Sequence, residues 1–179
     1  MAARQESCCF TGHRPAKLPW KYRESDPRCI ALKKRIADAV ETAYEEGYRH
    51  FLCGMAMGCD FYFCEAVIEL RCRYSDITLE AAIPCPTQAD AWTKSQRSRY
   101  DALLAQCDYQ TMVSDAYSSS CMQRRDRYMV DHASLLIAAF DGSAGGTRYT
   151  VEYALRRLVS VVDIPIPDRE EGGFCGELL

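Results

Sequence analysis

Three observations predict an α/β protein built on a doubly wound, mostly parallel sheet. Apolar runs of strand length alternate with amphipathic segments of helix length from one end of the 179 residues to the other. One of these runs, Ser134 to Phe140, is almost continuously apolar, as a central parallel strand covered on both faces should be. The breaks between runs are rich in glycine, proline and small polar residues, which is the chemistry of turns.

Ser7 to Phe10 is the first strand, and it stops at Thr11-Gly12. Ser25 and Asp26 precede Pro27, a cap followed by proline at the first helical turn, so a helix starts there. Its apolar positions Cys29, Leu32, Ile36, Val40 and Ala43 recur at steps of three and four, and Gly47 is its natural stop. Tyr48 to Cys53 is the second strand. It breaks at Gly54 and Gly58, and Asp60 is the expected cap of a helix carrying Phe61, Cys64, Val67, Ile68 and Cys72. The third strand, Ile77 to Ile83, stops at Pro84-Cys85-Pro86; Thr87 with Asp90 three residues on predicts a capped long helix reaching about Gln106. A short fourth run, Tyr109 to Val113, leads through a Ser-rich turn to a helix over Cys121 to His132. After the fifth strand come a Gly-rich turn, a helix through about Val159 and an edge strand, Val161 to Ile166. The sum is a Rossmann-like, doubly wound sheet of five to six strands with helices on both faces. It forms one domain over residues 1–179, with an ordered core at 7–167 and a polar, Gly-rich tail from Asp168 that is expected to be loose.

Composition narrows the function. With 48% hydrophobic residues, 10 glycines and 7 prolines, the chain is neither disordered nor collagen-like. The longest apolar stretch is too short to span a bilayer and the N-terminus has no apolar signal core, so a cytoplasmic protein without membrane attachment is expected. A net charge of -3 offers no attraction to a phosphate backbone, which disfavours nucleic acid as a partner. Eleven cysteines without a C-x-x-C pair point to reduced thiols acting as small hydrophobes, with no metal and no cofactor expected. Self-association as a homodimer stays open.

The chemistry-bearing residues gather where strands end. After the first strand stand Thr11, Gly12, His13 and Arg14; after the second, Gly54 to Asp60; after the fifth, Asp141 and the Gly145-Gly146-Thr147 turn. In a doubly wound sheet these ends share one edge, and glycines before a helix start let the backbone N–H groups approach an anion. Each turn taken alone has a plainer explanation, since a chain that reverses tightly needs glycine anyway. His50, within a strand, is read as structural. Trp92 lies in a polar stretch where it either stacks on a nucleobase, with Tyr100 as a second wall, or packs on the sheet edge.

Thr11 to Pro15, the Gly54 to Asp60 stretch, Pro84 with Gln88 and Trp92, and the segment 141–154 together resemble the YpsA-type family of the SLOG superfamily, which also holds DprA and the LOG phosphoribohydrolases. The resemblance covers about residues 7–160. It implies a Rossmann-like fold that binds a nucleotide or a nucleotide-derived molecule. Met122, Arg125 and Met129 fall in the register of the LOG M-x-x-R-K-x-x-M stretch, which makes Arg125 the counterpart of the functional arginine there, although Asp126 replaces the lysine. The LOG acid three residues after the turn threonine is replaced by Thr150, and the first acid is Glu152, about 200° round a helix.

These residues lead to a binding or sensing site for a nucleoside phosphate or an ADP-ribose-like ligand. Its phosphate would lie against Gly145, Gly146 and Thr147 with Thr11, Gly12 and Arg14, and its ribose would face Asp60 or Glu152. Two alternatives follow from the superfamily: a nucleoside monophosphate N-glycosidic hydrolase using Glu152 or Asp60 with Arg125, and a DprA-like binder of single-stranded DNA.

Overall fold

A computed structural model describes residues 3–167; the expected loose tail lies outside the described residues. Six strands form one sheet in the order β4-β3-β2-β1-β5-β6, and every pair is parallel. They are β1 (Ser7–Gly12), β2 (His50–Cys53), β3 (Thr78–Ile83), β4 (Tyr109–Met112), β5 (Leu135–Phe140) and β6 (Ser160–Pro165). Between them run α1 (Pro27–Glu45), α2 (Cys59–Arg71), α3 (Lys94–Leu104), α4 (Cys121–Asp131) and α5 (Gly146–Arg156).

Side-chain alternation along the strands sorts the core into two layers. Cys8, Phe10, Phe51, Cys53, Leu79 and Ile137 pack under α1, α2 and α3, and Cys9, Leu52, Ala82, Leu136 and Ala138 pack under α4 and α5. Five apolar positions of α1 are all buried, and the Asp26 carboxylate caps the helix by accepting from the Arg28 N–H. The chain winds from β1 outward to β4, then returns through α4 to lay β5 on the other side of β1. Loops leaving β1 and β5 therefore diverge to opposite faces and open a crevice between their carboxyl ends.

Three sequence expectations fail locally. The helix after β3 does not start at Thr87 but at Lys94, because Thr93 and Gln96 form the capping box and residues 87–92 are turns. The last helix stops at Arg156 rather than Val159, and Leu158 takes a positive φ that ends it. Cys72, expected on the buried face of α2, lies just past its end and is exposed. Of the other thiols expected to be packed, Cys8, Cys9, Cys53 and Cys64 are buried while Cys107 is only partly so, and burial pushes Cys8, Cys9 and Cys53 above their ordinary titration range. Among the described residues no helix is long and apolar enough to cross a membrane.

Candidate functional site

The crevice holds a cavity of about 260 Å³ at the carboxyl ends of β1, β2 and β5, which are neighbours in the sheet. Thr11, Gly12, His13 and Arg14 enter it from β1, Asp60 from α2, Arg125 and Asp126 from α4, and Gly146 and Thr147 from the start of α5.

His13 anchors one wall. Its backbone is pinned on both sides, donating to Ala139 O and accepting from the Cys59 N–H. The imidazole is 2% exposed, and its Nε2 lies 2.7 Å from Asp141 Oδ1 and 3.3 Å from the Asp141 backbone nitrogen. Nδ1 faces Thr147 Oγ1 at 3.5 Å inside the cavity. Ser143 and His13, both bonded to the Asp141 carboxylate, hold it well below the usual carboxylate range. Two cations stand at the mouth. Lys17 Nζ donates to Ala144 O at 2.5 Å, latching the turn before α5, and Arg14 reaches Met122 Sδ of α4 at 3.7 Å. Among the described residues neither pairs with a carboxylate.

The inner end carries the opposite charge. Arg125 is buried and already engaged: its Nε donates to Asp126 Oδ1 at 2.8 Å, Nη1 donates to Gly54 O, and Asp60 Oδ2 lies 4.0 Å from Nη1. A Cβ at position 54 would overlap the guanidinium, so Gly54 is needed for this close approach. Two carboxylates against one guanidinium leave this end anionic. Burial pushes Asp60 up from 3.8 to about 6, against the pull of Arg125. A proton is therefore held more tightly in the folded state than in the unfolded one. Stability contributed by this group is full below about 3.8 and is lost as pH rises through about 6. Comparing denaturation midpoints of the native chain and Asp60→Asn from pH 4 to 7 is expected to show that decline in the native chain only.

Several sequence-predicted site residues lie elsewhere. Asp60 does not cap α2; Gly58 is the N-cap, with φ +91°, and the Asp60 carboxylate accepts instead from the Ala56 N–H at 3.0 Å. Gly58 itself packs behind the cavity against His13 O and Pro15. Glu152 is exposed on α5 and pairs with Arg148 at 2.9 Å, outside the cavity, as the helical rotation from Thr147 requires. Trp92 packs edge-on against Phe61 and Tyr100, away from the cavity lining. Gly145 caps α5 with φ +147°, a conformation that favours glycine. Sequence reasoning missed Lys17 and Asp126 as cavity residues; the only signal for Lys17 was a second basic residue three positions after Arg14. Among the described residues no three His, Cys, Asp or Glu side chains are grouped to hold a metal.

A second cavity of about 250 Å³ opens beside the strand β4, where His50 bonds Glu80 at 3.0 Å. Thr111 and Tyr128 also donate to Glu80, so His50 belongs to a satisfied polar network.

The model of the YpsA family, described as the YspA SLOG family, matches residues 8–160. The chain belongs to this family. Two relatives from Bacillus subtilis strain 168 show how far its members diverge. The SPbeta prophage-derived protein YoqJ, described as uncharacterised, is 29% identical over 143 residues, covering 72% of this chain and 83% of its own. YpsA, described as a UPF0398 protein, is 24% identical over 151 residues, covering 83% of each. Among solved structures, DNA processing protein A (DprA) from Streptococcus pneumoniae superposes with a TM-score of 0.60 at 17% identity, over 90% of this chain and 51% of that one. The YpsA-family chain thus shares its fold with about half of DprA.

Proposed function

We propose that the cavity binds the phosphate group of a nucleotide-derived small molecule, a nucleoside phosphate or an ADP-ribose-like compound. The observation that carries this reading is the pair of cations at its mouth, Arg14 and Lys17, which among the described residues have no carboxylate partner and share the cavity lining with Gly146 and Thr147 at the start of α5. At the inner end, Asp60 and Asp126 accept hydrogen bonds from sugar hydroxyls. Met122 and Met129 supply adaptable apolar contact for the base. The charge gradient orients the ligand, phosphate outward and sugar inward.

Thermal-shift measurement against a panel of nucleotides tests this. A ligand at about a hundred times its dissociation constant is expected to stabilise the fold by roughly 2.7 kcal/mol. A flat response to every nucleotide and to ADP-ribose would sink the proposal.

Hydrolysis of an N-glycosidic bond is a second reading, favoured by a buried acid in the cavity, Asp60, whose proton is held to about pH 6. Glu152 has no part in it. Replacing Glu152 with Gln is expected to leave both nucleotide affinity and any release of free base within about twofold of the native chain, as exposed pairs contribute under 1 kcal/mol. Chromatographic detection of base release that depends on Glu152 would contradict this.

A further inference from the structure

We propose that the cavity beside β4 binds a small aromatic amine, its ring held between Tyr109 and the Tyr128–His132 pair and its N–H group donating to Glu80. This site is separate from the proposed phosphate site and does not depend on it.

The topology of the sheet creates the opening. α4 packs over β1 and β3, and α5 over β1, β5 and β6, so the same face of β4 is left open beside the last turn of α4. Ser7, His50 and Glu80 stand two residues before Cys9, Leu52 and Ala82 on their strands and share their face. That face, apolar in the core, therefore turns polar at its amino end, where these three residues line the cavity. Tyr109 pairs with Glu80 in register, and its ring is 55% exposed although it meets His50 edge-on. Tyr128 and His132 line the cavity from α4, with ring centroids 4.2 Å apart. Aromatic rings on strand and helix offer stacking and cation–π contact to an amine-bearing ring, and a volume of about 250 Å³ suits one or two fused rings.

Glu80 sets the chemistry of the floor. Its side chain keeps 10% of its surface exposed. Thr111 Oγ1 and the Tyr128 hydroxyl both donate to Oε1 at 2.7 Å, while Oε2 has the contact with His50 Nε2 at 3.0 Å. Burial opposes ionisation, but the bonds from His50, Tyr128 and Thr111 outweigh it and bring the carboxyl down to about 2. An ionised carboxylate offers about four acceptor positions, so three bonds leave one open on Oε2. That position takes a donor and rejects the lone pairs of an acid. It is the same whichever charge His50 carries. At the rim, Asp131 is paired with Arg157 at 3.0 Å, and Arg4 donates through Nε to Ala133 O at 3.1 Å. An acid-bearing ligand would have to pair with Arg4 instead of Glu80.

Tryptamine and indolepropionic acid carry the same ring with an amine or an acid, and they are the probes. Titration of the full chain, followed through its amide chemical shifts, is expected to move Tyr109, Thr111 and Tyr128 with tryptamine and not with the acid. Butylamine, an amine without the ring, should bind about tenfold more weakly than tryptamine. Glu80→Gln keeps the shape of the side chain but removes the charge that strengthens the hydrogen bond, and should weaken tryptamine about tenfold. Tyr109→Ala should weaken it about fivefold. Because that ring is more than half exposed, its removal leaves the fold intact and keeps the test open if Glu80→Gln does not fold. Equal binding of the acid, tryptamine shifts confined to Gly146 and Thr147 in the other cavity, affinity unchanged in Tyr109→Ala, or no shift with tryptamine up to its solubility overturns the proposal. None of these outcomes bears on the phosphate site, which nucleotide titration tests by itself.

Discussion

Gly146→Asp is expected to lower affinity for any phosphate-bearing ligand by about 10² to 10³ while leaving the fold intact. Nothing lies within 4 Å of a Cβ added at Gly146, so the variant has room for its side chain. The new carboxylate would stand at the first residue of α5, on the cavity lining. Two like charges about 5 Å apart at an effective dielectric of about 20 repel by roughly 3 kcal/mol, which is the predicted loss. At the same time an acid in the first turn of a helix is mildly favourable to the helix dipole, so the melting temperature should not fall. Gly146→Ala, which adds only a methyl group, serves as the control and should bind nearly as the native chain does. Affinity that survives in Gly146→Asp would place the anion somewhere other than the start of α5.

Arg125→Leu is expected to have the largest effect on stability. The guanidinium is buried between Asp126, Gly54 O and Asp60, and a leucine leaves the Asp126 carboxylate and the Gly54 carbonyl without their donor and the buried Asp60 without its nearby cation. Breaking a buried ion pair from one side costs about 3–5 kcal/mol. For a domain of this size that corresponds to a fall in melting temperature of about 10 °C. The sign of its pH dependence is fixed by the carboxylates left behind. Without the pull of Arg125, burial pushes Asp60 further above its unfolded value, so the variant loses more stability as pH rises from 4 towards neutrality. Adding Asp126→Leu to the variant should recover part of the loss, since an apolar pair needs no compensation. A melting temperature unchanged at pH 7 would show that the cluster is more hydrated than its burial implies.

How much of this was legible in the sequence depended on whether the cause was local. Helix α1 was readable to the residue because the cap at Asp26, Pro27 and the five buried positions all lie within one segment. The start of α3 was not. Thr87 with Asp90 and Thr93 with Gln96 offer the same pattern, and only the second reaches back to close the box. Gly58 displaced Asp60 as the cap of α2 because of its packing against His13 and Pro15, which no pattern within residues 54–60 contains. The three strand ends were correctly brought to one edge because connection rules for parallel sheets leave few choices. Lys17 stayed hidden for the opposite reason, since its partner Ala144 lies 127 residues along the chain; Asp126 is bonded to its own neighbour Arg125 and becomes a cavity residue only where α4 packs beside the end of β1. Glu152 was a matter of helix rotation. Its position five residues after Thr147 already placed it on another face, and the exposed pair with Arg148 is the result.

The return of β5 to the side of β1 also sets a timetable for folding. The contact between His13 and Asp141 spans 128 residues, so the mouth of the site closes only after nearly the whole sheet has been laid down. Until β5 docks, β1 shows one bare edge bearing Cys8, Cys9 and Phe10, all fully buried in the finished protein. During synthesis from the N-terminus that edge waits, sticky and unpaired, while β2, β3 and β4 assemble on its other side. Long-range pairing of this kind slows folding, and a chain cut short before Leu135 would carry an aggregation-prone strand and lack the α5 wall of the cavity. Any cell making this protein thus receives the cavity between β1 and β5 last, in one closing step, rather than by degrees.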